Sequence, residues 1–306
     1  MATATATVWV VAALAASAAQ AEGNRDLQGM WTGGTMTPFE RPPQLADKAF
    51  LTPGEIADQQ RQATDRFWKA AHNPADVGRD NDAFVDDDLK LLPNGQTSLV
   101  VSPSDGKIPL LPEAERRRDR NINTFDSYET MSQWDRCITR YPTALFPGIY
   151  NNAYQIVQTP THIVIVAEMI HDARIIPIDG SPHADSRVRS WGGDSRGHWE
   201  GATLVVDTTN FNDKGWIATG GNAGRIRGVP YTENLHIVER FTRVDAQTLN
   251  YEITIEDPQM YRSAWRMSFP LSRDDSYQMF EYACHEGNRA TELILGGARA
   301  TESNSK

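Results

Sequence analysis

Between residues 150 and 284 the chain is a succession of short apolar runs, rich in branched and aromatic residues and separated by turn residues. Residues 154–159 and 162–169 meet at Thr159-Pro160-Thr161, and residues 174–178 lead into Asp179-Gly180, a hairpin signal. Further runs follow at 203–209, 235–241, 249–256, 264–269 and 278–284. Side chains that crowd their own backbone favour the extended chain, and closely spaced strands joined by short turns pair with their neighbours. The pattern predicts a mainly β fold, an antiparallel meander closed as a lipocalin-like (calycin-like) barrel, with a two-sheet sandwich as the alternative.

Upstream the signal is looser. Gly29-Met30-Trp31 reads as a first strand. Thr52-Pro53-Gly54-Glu55 reads as a helix start, with Thr52 as cap, Pro53 in the first helical position and Glu55 closing a capping box. This predicts a helix to about residue 71 and a second one over residues 113–120, where Arg116, Arg117 and Arg118 form a solvated face among acids. Asp80, Asp82, Asp86, Asp87 and Asp88 lack the spacing of a calcium loop and read as a solvated loop. The expected organisation is a signal peptide over 1–21, an N-terminal strand, helix and loop region over 22–133 that packs on the barrel, and the barrel domain over 134–306.

Residues 1–21 carry no charge, run apolar from Val8 to Ala16 and end Ala19-Gln20-Ala21, the pattern of an export signal cut before Glu22. The Lys or Arg that usually opens such a signal is missing. The apolar run is shorter than the roughly 20 residues of a spanning helix. A periplasmic or extracellular location follows, with no membrane span. The net charge of −10 repels phosphate backbones, so nucleic acid is not an expected partner. The two cysteines, Cys137 and Cys284, are expected to form a disulfide in an oxidising compartment. The alternative is a reactive thiolate at Cys284, disfavoured because neighbours on a strand face opposite ways and His285 would point away from it.

Alternation places Glu239 on the apolar face of its strand with Leu235, Ile237 and Phe241, whereas Glu252 faces water. An inward carboxylate is either paired with a cation or displaced toward the neutral form that suits acid–base work. The densest ionisable cluster is Glu168, His171, Asp172 and Arg174. If the strand continues through it, Glu168, Asp172 and Arg174 share one face. If Asp172 opens a turn, His171 swings toward Glu168. Catalysis and a network of salt bridges both fit such a cluster. A transition-metal site built from His171, His236 and His285 lacks any recognisable ligand spacing, and no bound cofactor is expected. His183 and His198 read as surface or turn histidines. Residues 192–201 form a polar link without the strand–serine–helix context of a nucleophile elbow. The glycine-rich stretch 212–230 is expected to act as a lid over the barrel mouth or as a plain insertion.

Five stretches are shared with a large family of secreted bacterial proteins of uncharacterised function, which this chain resembles over roughly its C-terminal half. They are Tyr150-Asn151-Asn152-Ala153-Tyr154-Gln155-Ile156-Val157-Gln158-Thr159-Pro160, Glu168-Met169-Ile170-His171-Asp172-Ala173-Arg174-Ile175-Ile176-Pro177, Gly193-Asp194-Ser195-Arg196-Gly197-His198-Trp199-Glu200-Gly201, Glu239-Arg240-Phe241-Thr242-Arg243-Val244-Asp245 and Tyr282-Ala283-Cys284-His285-Glu286-Gly287-Asn288. The resemblance implies pairing of Cys137 with Cys284 and implies no reaction. The chain departs from it at Arg140-Tyr141-Pro142-Thr143-Ala144, where relatives are richer in Gly and Pro.

The expected function is an exported, cofactor-independent acid–base enzyme, a lyase, isomerase or hydrolase, acting on a small molecule in a barrel pocket. Glu168 or Glu239 would be the base, His171 the acid and Arg174 the holder of an anionic or carbonyl oxygen, with Asp172, His285, Tyr154 and Trp265 touching substrate. The rival expectation is a periplasmic binding or carrier protein that uses the same pocket without catalysis. Oligomeric state is left open.

Overall fold

The computed structural model describes residues 25–71, 89–140, 142, 145–148 and 150–304. The expected signal peptide, His72, the acidic cluster over 80–88 and Tyr141, Thr143 and Ala144 lie outside the described residues. Among these residues, ten strands form one antiparallel sheet: β1 (Gly29–Thr32), β2 (Val100–Ser102), β3 (Ala153–Gln158), β4 (His162–Ala167), β5 (Ala173–Pro177), β6 (Asp194–Glu200), β7 (Thr203–Thr209), β8 (His236–Arg243), β9 (Thr248–Glu256) and β10 (Trp265–Arg273). The order β5-β4-β3-β1-β10-β9-β8-β7-β6 makes a nearly closed nine-strand barrel, with β2 added on β10. Two meanders, β3 to β5 and β6 to β10, are therefore joined by β1, which pairs with β3 on one side and β10 on the other. β1 and β2 come from the part of the chain before residue 134 and complete this sheet.

β5 and β6 are the two ends of the ladder and meet through side chains. A Cβ on Gly197 would stand 2.7 Å from the Ile178 Cγ2 atom, so only glycine lets the ends come this close. Alternation held in β8 and β9: Ile237, Glu239, Phe241, Leu249, Tyr251, Ile253 and Ile255 all face the core. That core is filled by Trp31, Phe241, Tyr251, Trp265, Met267 and Phe269, with Tyr251 packed at 5.0 Å against Phe241 and 5.3 Å against Phe269. Each such side chain contributes about 1.5–3 kcal/mol by leaving water.

Several local expectations change. β6 is a strand where a polar link was expected; it alternates too, burying Ser195 and Gly197. Asp179-Gly180 makes a turn, with Ser181 N donating to Asp179 Oδ1 at 3.0 Å, but no strand paired to β5 follows it. Residues 278–284 form no strand; their main chain is held by side chains, with Phe280 N donating to Glu168 and the Tyr282 carbonyl facing His171. The stretch 212–230 is a packed part of the core, not a lid, since Ile217, Ala218, Ile226 and Val229 are fully buried.

Among the described residues, three α-helices sit outside the sheet: α1 (Pro53–Ala71), α2 (Pro112–Asn123) and α3 (Ala290–Asn304). None is long and apolar enough to cross a membrane among the described residues. α1 starts on the expected capping box. Thr52 N and Oγ1 each donate to Glu55 Oε2 at 2.8 Å, and Lys48 Nζ reaches the same carboxylate. Lys48 first, and then the Thr52 donors, hold Glu55 at about 2 instead of the ordinary 4.5. A lowered carboxylate stabilises above its unfolded-state value and loses that contribution as pH falls through the folded one. The start of α1 is therefore expected to loosen between about pH 4.5 and 2. An NMR titration of the Thr52 amide checks this, and a midpoint near 4.5 would contradict the capping geometry.

Candidate functional site

β4 ends at Ala167, and a 3-10 turn over Met169–His171 breaks the alternation, so Glu168, Asp172 and Arg174 do not share a face as a continued strand would require. Ile170 and His171 both take positive φ, 64° and 46°. For a β-branched residue that is a genuine strain, sustained only where surrounding contacts impose it. Glu168 is buried and fully engaged. Tyr277 Oη donates to its Oε1 at 2.9 Å and Phe280 N donates to the same oxygen at 2.6 Å. His171 is exposed, and its Nδ1 lies 2.9 Å from the Tyr282 carbonyl oxygen. A carbonyl only accepts, so this contact places the proton on Nδ1 and leaves Nε2 as the acceptor nitrogen of the neutral ring. Glu168 and His171 thus anchor the segment after β10. Its far end is fixed by the disulfide Cys137–Cys284.

A cleft of about 440 Å³ opens between this anchored segment and the loop before β3. Trp134, Tyr150, Phe280 and Tyr282 supply its walls, and Asp135, Glu281 and Glu286 bring carboxylates. Backbone strain concentrates here: Cys137, Asn151, Ile170 and His171 are four of the five described non-glycine residues with positive φ. A small buried cluster of Tyr150, Met169 and Ile170, against which Trp134, Tyr282 and Cys284 pack, underlies it.

Arg174 points across the open seam of the barrel. Its Nε donates to Ser195 Oγ at 3.0 Å, and its Nη2 donates to Thr208 Oγ1 at 2.8 Å and to Glu239. Tyr251 Oη donates to the other oxygen of Glu239 at 2.8 Å, so one polar chain runs from β5 through β6, β7 and β8 to β9. Burial opposes the charge on Arg174, but Glu239 beside it, with smaller help from Tyr251 and Asp172, raises the guanidinium above its ordinary value. Arg174, Asp172, Asp194 and Ser195 line a smaller cleft of about 250 Å³. Asp172 is held there by Thr139 Oγ1, which donates to Oδ2 at 2.7 Å.

The remaining expected residues do not join these groups. Tyr154 and Trp265, expected to touch substrate, are core residues, because inward positions of this barrel are filled. His285 is exposed at the turn after the disulfide. His171, His236 and His285 do not assemble; among the described residues no three His, Cys, Asp or Glu side chains are arranged to hold a metal ion. His236 instead pairs with Asp207 on the outer face, Nε2 to Oδ2 at 2.7 Å. Asp207 also faces His183, whose two ring nitrogens lie 2.9 Å from Asp207 Oδ1 and from Asp194 Oδ2. This chain of imidazoles and carboxylates was not read from the sequence. The only local signal was that Asp207 and His236 alternate onto the polar faces of β7 and β8.

Comparison of the chain with protein-family models, with curated proteins and with solved structures returns no match. The geometry alone carries the functional reading.

Proposed function

We propose that this chain is an exported small-molecule binding protein that takes its ligand in the aromatic cleft beside the disulfide. The observation that carries the reading is Phe280, which is 67% exposed at the cleft although it is a large apolar side chain on a segment pinned at three points. A pinned, solvent-facing aromatic wall is a prepared surface: its ordering cost is met before a ligand arrives. Aromatic faces next to carboxylates favour a small organic cation with an apolar body, attracted both by ring quadrupoles and by charge. The disulfide supports placement in an oxidising compartment.

The test uses phenethylammonium as probe, followed by quenching of tryptophan fluorescence in the oxidised protein. Phe280→Ala is expected to weaken binding by about tenfold, the equivalent of burying part of one aromatic ring, with an unchanged melting temperature. Absence of quenching by the probe, or an affinity indifferent to both Phe280→Ala and Trp134→Leu, would sink the reading.

Acid–base chemistry by a lyase, isomerase or hydrolase is the second reading, favoured by one observation at the seam cleft. The Nη1 atom of Arg174 is buried with no hydrogen-bond partner beside a lining that includes Asp172. A donor in that position is equipped to hold an anionic or carbonyl oxygen. Glu239 behind it would be the base. Glu168 and His171 are committed to the segment after β10 and support the binding reading.

A further inference from the structure

A second cleft, of about 590 Å³, carries the opposite charge preference. Arg117 and Arg120 lie three apart on α2 and so share a face; Arg136 and Lys214 complete the cationic lining. In a chain of net charge −10, four cations around one opening are a marked concentration. Among the described residues none of the four has a carboxylate within 4.0 Å, whereas their neighbours Arg116 and Arg118 pair with Glu113 and Asp119. Glu129 and Asp213 also line the cleft and limit its charge, which fits a ligand of one or two negative charges and not a polyanion.

Arg136 is the best prepared of the four. Its guanidinium carbon stands 5.3 Å from the centre of the Tyr128 ring and 5.5 Å from that of Trp191. Two rings hold the guanidinium plane, and no described side chain or carbonyl takes its N–H donors. The rotamer entropy of a long side chain is thereby spent before binding, with the donor fork left for a planar carboxylate. The frame is fixed as well. Gln133 Nε2 donates to the Trp216 carbonyl at 2.7 Å and Trp216 N donates back to Gln133 Oε1 at 2.9 Å, while Asn121 Nδ2 donates to the Gly228 carbonyl at 2.9 Å and docks α2.

We propose that this cleft binds a small aromatic carboxylate, its carboxylate on the fork of Arg136 and its ring among Tyr128, Trp191 and Trp216. Trp134 and Asp135 line the aromatic cleft and Arg136 lines this one, so a single short segment ending at Cys137 serves two sites of opposite polarity.

Isothermal titration calorimetry on the oxidised full chain tests it, with benzoate as probe, benzamide as its neutral isostere and inorganic phosphate as a ring-free anion. Benzoate is expected to bind at least about tenfold tighter than either control, because only it offers both charge and ring. Arg136→Met is expected to weaken benzoate by about tenfold or more through loss of the paired charge-assisted bonds, and to leave phenethylammonium binding unchanged. Should Arg136→Met fail to fold, the pair Arg117→Met and Arg120→Met on α2 is expected to move benzoate in the same direction. No heat from benzoate, equal affinity for phosphate or benzamide, or an affinity unmoved by these variants overturns the proposal.

Discussion

Arg174→Met is expected to lower folding stability by about 3–5 kcal/mol, the largest loss from any one substitution outside the apolar core. The reason is what it leaves behind. Glu239 has no exposure to solvent, lies between Val206 and Ile253 in the sheet register, and would keep only the Tyr251 hydroxyl as a partner. A buried carboxylate without its cation must either carry an uncompensated charge or take up a proton. Arg174 also holds Ser195 and Thr208, so the same substitution loosens the seam between β5 and β6, where no main-chain ladder compensates.

The double variant Arg174→Met, Glu239→Leu separates pairing from packing. Exchanging both charges for apolar groups of similar size removes the desolvation penalty along with the attraction, and is expected to recover most of the loss. Equilibrium unfolding in urea compares the wild type, Arg174→Met, Glu239→Leu and the double variant. If the two single losses simply add in the double variant, Arg174 and Glu239 act independently and the polar chain does not close the barrel. Should the double variant be stable but also lose turnover of some small substrate, the acid–base reading of the seam cleft gains its direct support.

The strand faces could be read from sequence because a period of two is local. Glu239 follows Ile237 and precedes Phe241 at the same parity, and that was enough to place it inside. Its partner was not readable in the same way. Residues 174 and 239 are joined only when the ends of the sheet curl together, and that closure depends on Gly197 being small and on β1 bridging two meanders. β6 was missed for a related reason: Asp194, Arg196, His198 and Glu200 make its outer face polar, while its inner face includes Ser195 and Gly197, residues that also make turns. Residues 278–284 failed in the other direction. Their composition is that of a strand, but side chains take their main-chain groups instead: Phe280 N donates to Glu168 and the Tyr282 carbonyl faces His171 Nδ1. The cluster at 168–174 was legible as unusual and illegible in its role, since the turn that sends Glu168 inward and His171 outward rests on two positive φ angles with no glycine to announce them.

Those two residues and the disulfide determine what reduction should do. A cross-link spanning 147 residues is worth about 4–5 kcal/mol if it acts wholly through the entropy of the unfolded chain. That figure applies only if the folded state survives reduction unchanged. Here the segment after β10 belongs to no strand and can leave the barrel without breaking a ladder, so the native state has a cheaper response than global unfolding. The variant Cys137→Ser, Cys284→Ser is therefore expected to lose less global stability than the entropic figure, yet to lose the aromatic cleft entirely. Glu168, His171, the packing of Tyr282 on the Tyr150, Met169 and Ile170 cluster and the Asn288 bond to the Asp135 carbonyl would then hold residues 277–288 against the entropy of an untethered segment. Limited proteolysis should cut between residues 277 and 289 first, leaving a barrel with its circular dichroism intact, and phenethylammonium should no longer quench. If the barrel melts together with the segment, the disulfide stabilises the core itself and the cleft is a by-product of that fold. If the segment stays protected and the probe still binds, the non-covalent anchors suffice, and the disulfide is dispensable to the site.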